Sequence, residues 1–116
     1  IGIELGRAAV EDARHNTANR PNVTIRAGRV EDVLPTIEDV VDAAVLDPPR
    51  GGCTPQALET LIRHQPRRIA YVSCDPATLA RDAKRLIAGG YRLTSAQPLD
   101  MFPQTHHIET VAIFER

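Results

Sequence analysis

Residues 69–76 read Ile69-Ala70-Tyr71-Val72-Ser73-Cys74-Asp75-Pro76, and this stretch decides the fold class. Ile69 to Val72 reads as a strand that ends at Ser73-Cys74. Asp75 can cap a helix with its carboxylate, and Pro76 takes the first helical position, where a missing N–H is no loss. Behind it Leu79, Ala83, Leu86 and Ile87 recur at helical spacing until Gly89-Gly90 ends the run. A strand feeding directly into a capped helix is the repeating unit of an α/β layer fold.

The same unit recurs on the N-terminal side. Ala43 to Leu46 reads as a short buried strand running into Asp47-Pro48-Pro49-Arg50. After Gly51-Gly52-Cys53, Thr54-Pro55 opens a helix with Leu58, Leu61 and Ile62 on one face. Earlier still, Ile1 to Leu5 reads as a strand end. Arg7 to Ala18 reads as a helix with Val10 and Ala13 inward, Val23 to Ala27 as a strand broken by Gly28, and Val30 to Leu34 as a helical turn before Pro35. Beyond Gly90, Tyr91 to Ala96 and Thr110 to Phe114 read as two strands able to pair as a hairpin, joined by an irregular segment from Gln97 to Ile108. The order predicts an α/β fold with a largely parallel sheet.

The bulk properties narrow the function classes. The 116 residues are 42% hydrophobic and 25% charged, as in an ordinary soluble globular protein. The formal net charge of −1 argues against a stand-alone electrostatic binder of nucleic acid, so that if a nucleic acid were the substrate most phosphate contacts would come from another domain or a local patch. No apolar run approaches the roughly 20 residues that span a bilayer. With no leader pattern, a cytoplasmic location without membrane partners is expected. The two cysteines, Cys53 and Cys74, are too few for a disulfide framework and are expected as reduced thiols.

In open parallel sheets, ligands gather at the carboxyl ends of the strands. Glu4, Asp47, Cys74 and Glu109 all fall at that edge by strand direction. Glu4 is either a carboxylate for ribose hydroxyls or an exposed charge at a strand end. Asp47 precedes two prolines that stiffen the chain and cannot donate backbone hydrogen bonds. That arrangement suits a ligand site, though it also simply terminates a strand. Cys74 stands at a helix start, where unpaired amides favour a thiolate; a cysteine at a strand end can equally be inert. Cys53, in a glycine turn, lacks this setting. Glu109 is a candidate base beside apolar residues, or a solvated charge. His106 and His107 invite a metal reading, but without a third ligand at suitable spacing no metal is expected.

Taken together, Asp47-Pro48-Pro49-Arg50-Gly51-Gly52 and Tyr71-Val72-Ser73-Cys74-Asp75-Pro76-Ala77-Thr78-Leu79-Ala80-Arg81-Asp82 resemble the catalytic core of the RNA 5-methyluridine (uracil-C5) methyltransferases. Residues Gln97 to Val111, with Met101-Phe102-Pro103-Gln104-Thr105-His106-His107-Ile108-Glu109 at their centre, resemble that family's C-terminal signature. The resemblance implies the class I methyltransferase fold, a Rossmann-like sheet, mostly parallel with an antiparallel last strand. It implies S-adenosylmethionine as cofactor and an RNA substrate, tRNA or rRNA. By resemblance Cys74 matches the nucleophile, Glu109 the general base, Glu4 the carboxylate on the cofactor ribose, and Asp47 the aspartate at the cofactor and target-base site. Arg50 has a family counterpart without an assigned role.

On that reading residues 1–116 are the C-terminal part of the catalytic domain. The family's first strand, central between those carrying Glu4 and Asp47, is missing, which leaves a gap or forces a rearrangement. The piece alone is expected to be weak or inactive. Arg29 also stands where related sequences often carry an acidic or amide residue. A 5-methylcytosine RNA methyltransferase is the first rival, but its nucleophile follows Asp-x-Pro directly, where this chain has Arg50. An amino-group methyltransferase would carry an aromatic residue at that same position. A truncated, non-catalytic fragment is the rival of a different class. The target RNA and the oligomeric state are not readable from the sequence.

Overall fold

The computed structural model describes residues 1–105 and 108–116. It divides into two compact units, Ile1–Asp39 and Val40–Arg116. In the first, strand β1 (Gly2–Glu4) leads into helix α1 (Arg7–Asn16) and returns as strand β2 (Ile25–Ala27). β1 and β2 pair in parallel, Glu4 opposite Ala27. A single turn of helix, α2 (Val30–Val33), follows and tightens into a 3-10 turn over Leu34–Thr36. Pro35 sits inside that turn, where its lack of an N–H does no harm, so the helical segment runs on past the expected stop.

The second unit holds strand β3 (Ala43–Leu46), helix α3 (Pro55–His64), strand β4 (Arg68–Ser73), helix α4 (Pro76–Ala88) and strands β5 (Arg92–Leu99) and β6 (Glu109–Glu115). Its sheet has the order β3-β4-β6-β5. β3 and β4 are parallel. β6 runs antiparallel to both its neighbours, inserted between β4 and β5. This is the mostly parallel layering with an antiparallel last strand. Among the described residues no strand joins the β1–β2 pair to the larger sheet. The strand Ala43–Leu46, expected to be buried, is instead an edge strand of this sheet, with Ala43 exposed and Val45 76% exposed.

Both expected helix starts form. Thr54 Oγ1 accepts the Ala57 amide at 3.2 Å, and Asp75 Oδ1 accepts that of Thr78 at 2.8 Å. The core of the second unit gathers Leu58, Leu61, Ile69, Tyr71, Leu86 and Phe114, all buried. The carboxyl end of α4 packs tightly on α3, since a Cβ on Gly89 would fall 2.6 Å from Ile62 Cδ1.

Two further expectations need correction. Ile87 is not on the inner face of α4 but half exposed; it lies about 80° round the helix from Leu79. The segment from Gln97 is not irregular at its start, because β5 continues through Pro98 to Leu99. β5 is an edge strand, and there a proline can do without its ladder donor. Among the described residues, no helix is long and apolar enough to cross a membrane.

Candidate active site

Three of the four candidate residues come to one edge of the larger sheet. Asp47 follows the last residue of β3 and Cys74 the last residue of β4, and these strands are parallel, so both leave at the same edge. Glu109 opens β6, which runs the other way, and so starts where β4 ends. The β4–β6 ladder closes on the pair Ser73–Thr110. Cys74 follows Ser73 and Glu109 precedes Thr110, so each lies one residue beyond the last pair of that ladder. Asp47 is exposed, while Cys74 and Glu109 are half-buried. A thiol and a carboxylate thus share a partly sheltered edge open to a substrate.

The turn between β4 and α4 is tied by its own polar groups. Ser73 Oγ accepts the Asp75 amide at 3.1 Å and donates to the Asp75 carbonyl at 2.9 Å. The Asp75 carboxyl is held below the usual carboxylate range, chiefly by the Thr78 amide, with partial desolvation opposing and the Ala77 amide and Arg50 assisting. The free amides of the helix start are therefore shared with Asp75, next to Cys74, and are not reserved for the thiol. Arg50 Nε lies 3.8 Å from Asp75 Oδ2, and Thr78 Oγ1 donates to the Arg50 carbonyl at 3.2 Å. The segment after Asp47 is thereby fastened to the helix that follows Cys74.

A second fastening was not foreseen from the sequence. Asp82, fully buried on α4, accepts the Cys53 amide at 2.8 Å and the Tyr71 hydroxyl at 2.6 Å on Oδ2. Its Oδ1 accepts Arg81 Nε at 2.9 Å and Nη2 at 2.8 Å. Arg81 Nη2 also donates to the carbonyls of Gly51 at 2.9 Å and Cys53 at 3.3 Å. The signal lay in the periodicity: Asp82 interrupts the apolar stripe Leu79, Ala83, Leu86. A carboxylate on the inner face of a helix needs partners, and here they come from the loop, from β4 and from the neighbouring Arg81.

Glu4 belongs to the first unit, at the carboxyl end of β1, where it is exposed. Its Oε1 accepts the Gly6 amide, which orients the carboxylate over the turn into α1. Arg29 is paired with Glu31 at 3.4 Å. His106 and His107, whose metal reading was rejected, lie outside the described residues.

Residues 27–116 match the family model of the tRNA (uracil-5-)-methyltransferases. The chain belongs to this family. It is 51% identical over its whole length to an uncharacterised RNA methyltransferase of Gloeobacter violaceus, of which it covers 25%. It is similar, at 37% identity and a TM-score of 0.79, to the crystal structure of the Pyrococcus abyssi tRNA (uracil-54, C5)-methyltransferase in complex with S-adenosyl-L-homocysteine, with 97% of this chain and 28% of that one covered. Its fold is also that of the Geobacter metallireducens precorrin-6y C5,15-methyltransferase, at a TM-score of 0.74 and 12% identity. The chain thus spans about a quarter of the length of the curated relatives it matches. The expected family and the α/β methyltransferase fold are both borne out.

Proposed function

We propose that the protein containing this chain transfers a methyl group from S-adenosylmethionine to carbon 5 of a uridine in tRNA or rRNA, through a covalent adduct on Cys74. What supports this reading is that the half-buried Cys74 and Glu109 each lie one residue beyond the last pair of the β4–β6 ladder, at the sheet edge where Asp47 also emerges.

In the first unit Glu4, oriented by the Gly6 amide, would offer carboxylate oxygen to the cofactor's ribose hydroxyls. In the second, Asp47, exposed at the end of β3, would serve the cofactor and target-base site. S-adenosylmethionine, when bound, supplies an electrophilic methyl on a sulfonium sulfur. The reaction needs a nucleophile because carbon 5 of uracil is itself too weak. The Cys74 thiolate adds to carbon 6, and the electron pair of the 5,6 double bond passes into an enolate centred on carbon 5 and oxygen 4. Once carbon 5 has taken the methyl, Glu109 removes the proton left on it. The electrons of that C–H bond restore the double bond and expel the Cys74 thiolate.

Residues 1–116 are, on this reading, the C-terminal part of the catalytic domain, with the remaining strand of the sheet contributed by the rest of the protein. These residues alone, about a quarter of the length of the relatives they match, would be weak or inactive. The protein would act in the cytoplasm. Incubation of the full-length protein with labelled S-adenosylmethionine and unmodified RNA, followed by nucleoside analysis, tests the reaction. Label in 5-methyluridine is expected; label only in 5-methylcytosine or in an N-methylated base would overturn the reading.

A further inference from the structure

Asp82 is a carboxylate buried without any part in the chemistry above. A buried ion pair is seldom more stabilising than apolar side chains of the same volume. The inner stripe of α4 is otherwise apolar, so helix packing alone does not call for an acid there. An acid does what an apolar residue could not, which is to bond backbone. The Cys53 amide meets Asp82 Oδ2, and the carbonyls of Gly51 and Cys53 meet the Arg81 guanidinium that Asp82 holds. The loop comes so close that a Cβ on Gly52 would lie 2.5 Å from Arg81 Nη2 and 2.6 Å from Asp82 Oδ2. This loop joins β3 to α3 and has no strand or helix of its own between Leu46 and Pro55. Its shape is set by the Gly52 amide bonding to the Pro49 carbonyl at 2.8 Å and by its grip on α4. The anchoring residues Asp75, Thr78 and Asp82 recur at helical spacing along α4, which begins two residues after Cys74.

We propose that Asp82, acting through Arg81, is a positioning residue: it locks the Gly51–Cys53 loop so that Asp47 and Arg50 are held in a fixed relation to Cys74. The proposal rests on the methyl-transfer reading given above. Arg81 is the adjustable half of the device, since its side chain is half exposed. Tyr71 bonds the same carboxylate from inside the core, and its hydroxyl also interacts with Cys53 of the loop. Arg81 carries the bonds to the loop carbonyls, and Tyr71 ties the same carboxylate into the core.

The test uses the full-length protein with saturating S-adenosylmethionine and 5-fluorouridine RNA, comparing Asp82→Asn, Arg81→Lys and Tyr71→Phe with the wild type. The amplitude of the covalent protein–RNA adduct counts correctly folded sites, and its rate reports their geometry. Arg81→Lys keeps the charge beside Asp82 but loses the planar fork that reaches the loop carbonyls. Asp82→Asn and Arg81→Lys are expected to slow the adduct and kcat by about 10- to 100-fold, the effect of a small misplacement of reacting groups, at near-normal amplitude. Tyr71→Phe, which leaves the Arg81 bonds to the loop carbonyls in place, is expected to lower Tm and to slow the adduct less than Arg81→Lys. Should Asp82→Asn fail to fold, Arg81→Lys decides alone. An unchanged rate in Arg81→Lys, with only Tm or amplitude reduced, overturns the positioning role while leaving methyl transfer intact. A wild type that forms neither adduct nor 5-methyluridine overturns the methyl-transfer reading, and this inference with it.

Discussion

Asp75 Oδ1 accepts the amide of Thr78 at 2.8 Å, so the start of α4 is closed by the residue that follows Cys74. Because this bond and its neighbours lower the carboxyl's pKa in the folded state, the charge adds stability that is complete above the unfolded value of about 4 and is lost as pH falls through the folded one. Asp75→Asn keeps a capping oxygen without the charge. Its Tm should lie below that of the wild type at neutral pH, and the gap should close in acid. A gap independent of pH would show that the charge is irrelevant.

Tyr71 gives the opposite pH dependence. Burial first, and then the bond to Asp82, push its hydroxyl far above the ordinary tyrosine range. Its contribution is complete below the unfolded value of about 10 and declines as pH rises beyond it. Removing a buried hydrogen bond to a charged group by Tyr71→Phe should cost about 1.5–3 kcal/mol at neutral pH, read by denaturant unfolding. That difference should shrink in alkali.

The two neighbouring glycines should behave unlike each other. Gly52 has φ +77°, and a Cβ there meets Arg81 and Asp82, whereas a Cβ on Gly51 meets nothing within 4 Å. Gly52→Ala is expected to cost about 1–3 kcal/mol from backbone strain alone and to depress activity. Gly51→Ala should retain both stability and activity. Equal behaviour of the two variants in thermal unfolding and methylation assays would count against the tight loop.

Glu109→Gln should separate the two halves of the reaction. With the base removed, Cys74 can still add and carbon 5 can still be methylated, but elimination stalls. A denaturing gel with ordinary uridine RNA should show a persistent protein–RNA band. Release at the wild-type rate would remove Glu109 from the role of base.

Much of this was legible because the signals are local. Thr54-Pro55 and Asp75-Pro76 mark helix starts by cap chemistry that needs no tertiary partner, and both caps form. Strand direction sufficed to send Asp47, Cys74 and Glu109 to one edge. The extension of β5 through Pro98 was not legible, since it depends on β5 having an open side. Asp82 was visible only as a charge interrupting an apolar stripe. Its partners Cys53 and Tyr71 stand 29 and 11 residues away, and nothing in the local pattern identifies them.

The most direct measurement is mass spectrometry of the full-length protein after reaction with S-adenosylmethionine and 5-fluorouridine RNA. Fluorine on carbon 5 cannot be removed by a base, so a thiolate that has added to carbon 6 stays trapped after methylation. A methylated nucleotide adduct on the peptide containing Cys74, absent in Cys74→Ala, is the expected result. A folded, cofactor-bound protein that forms no adduct, or forms it on Cys53, would contradict the assignment of Cys74 as nucleophile.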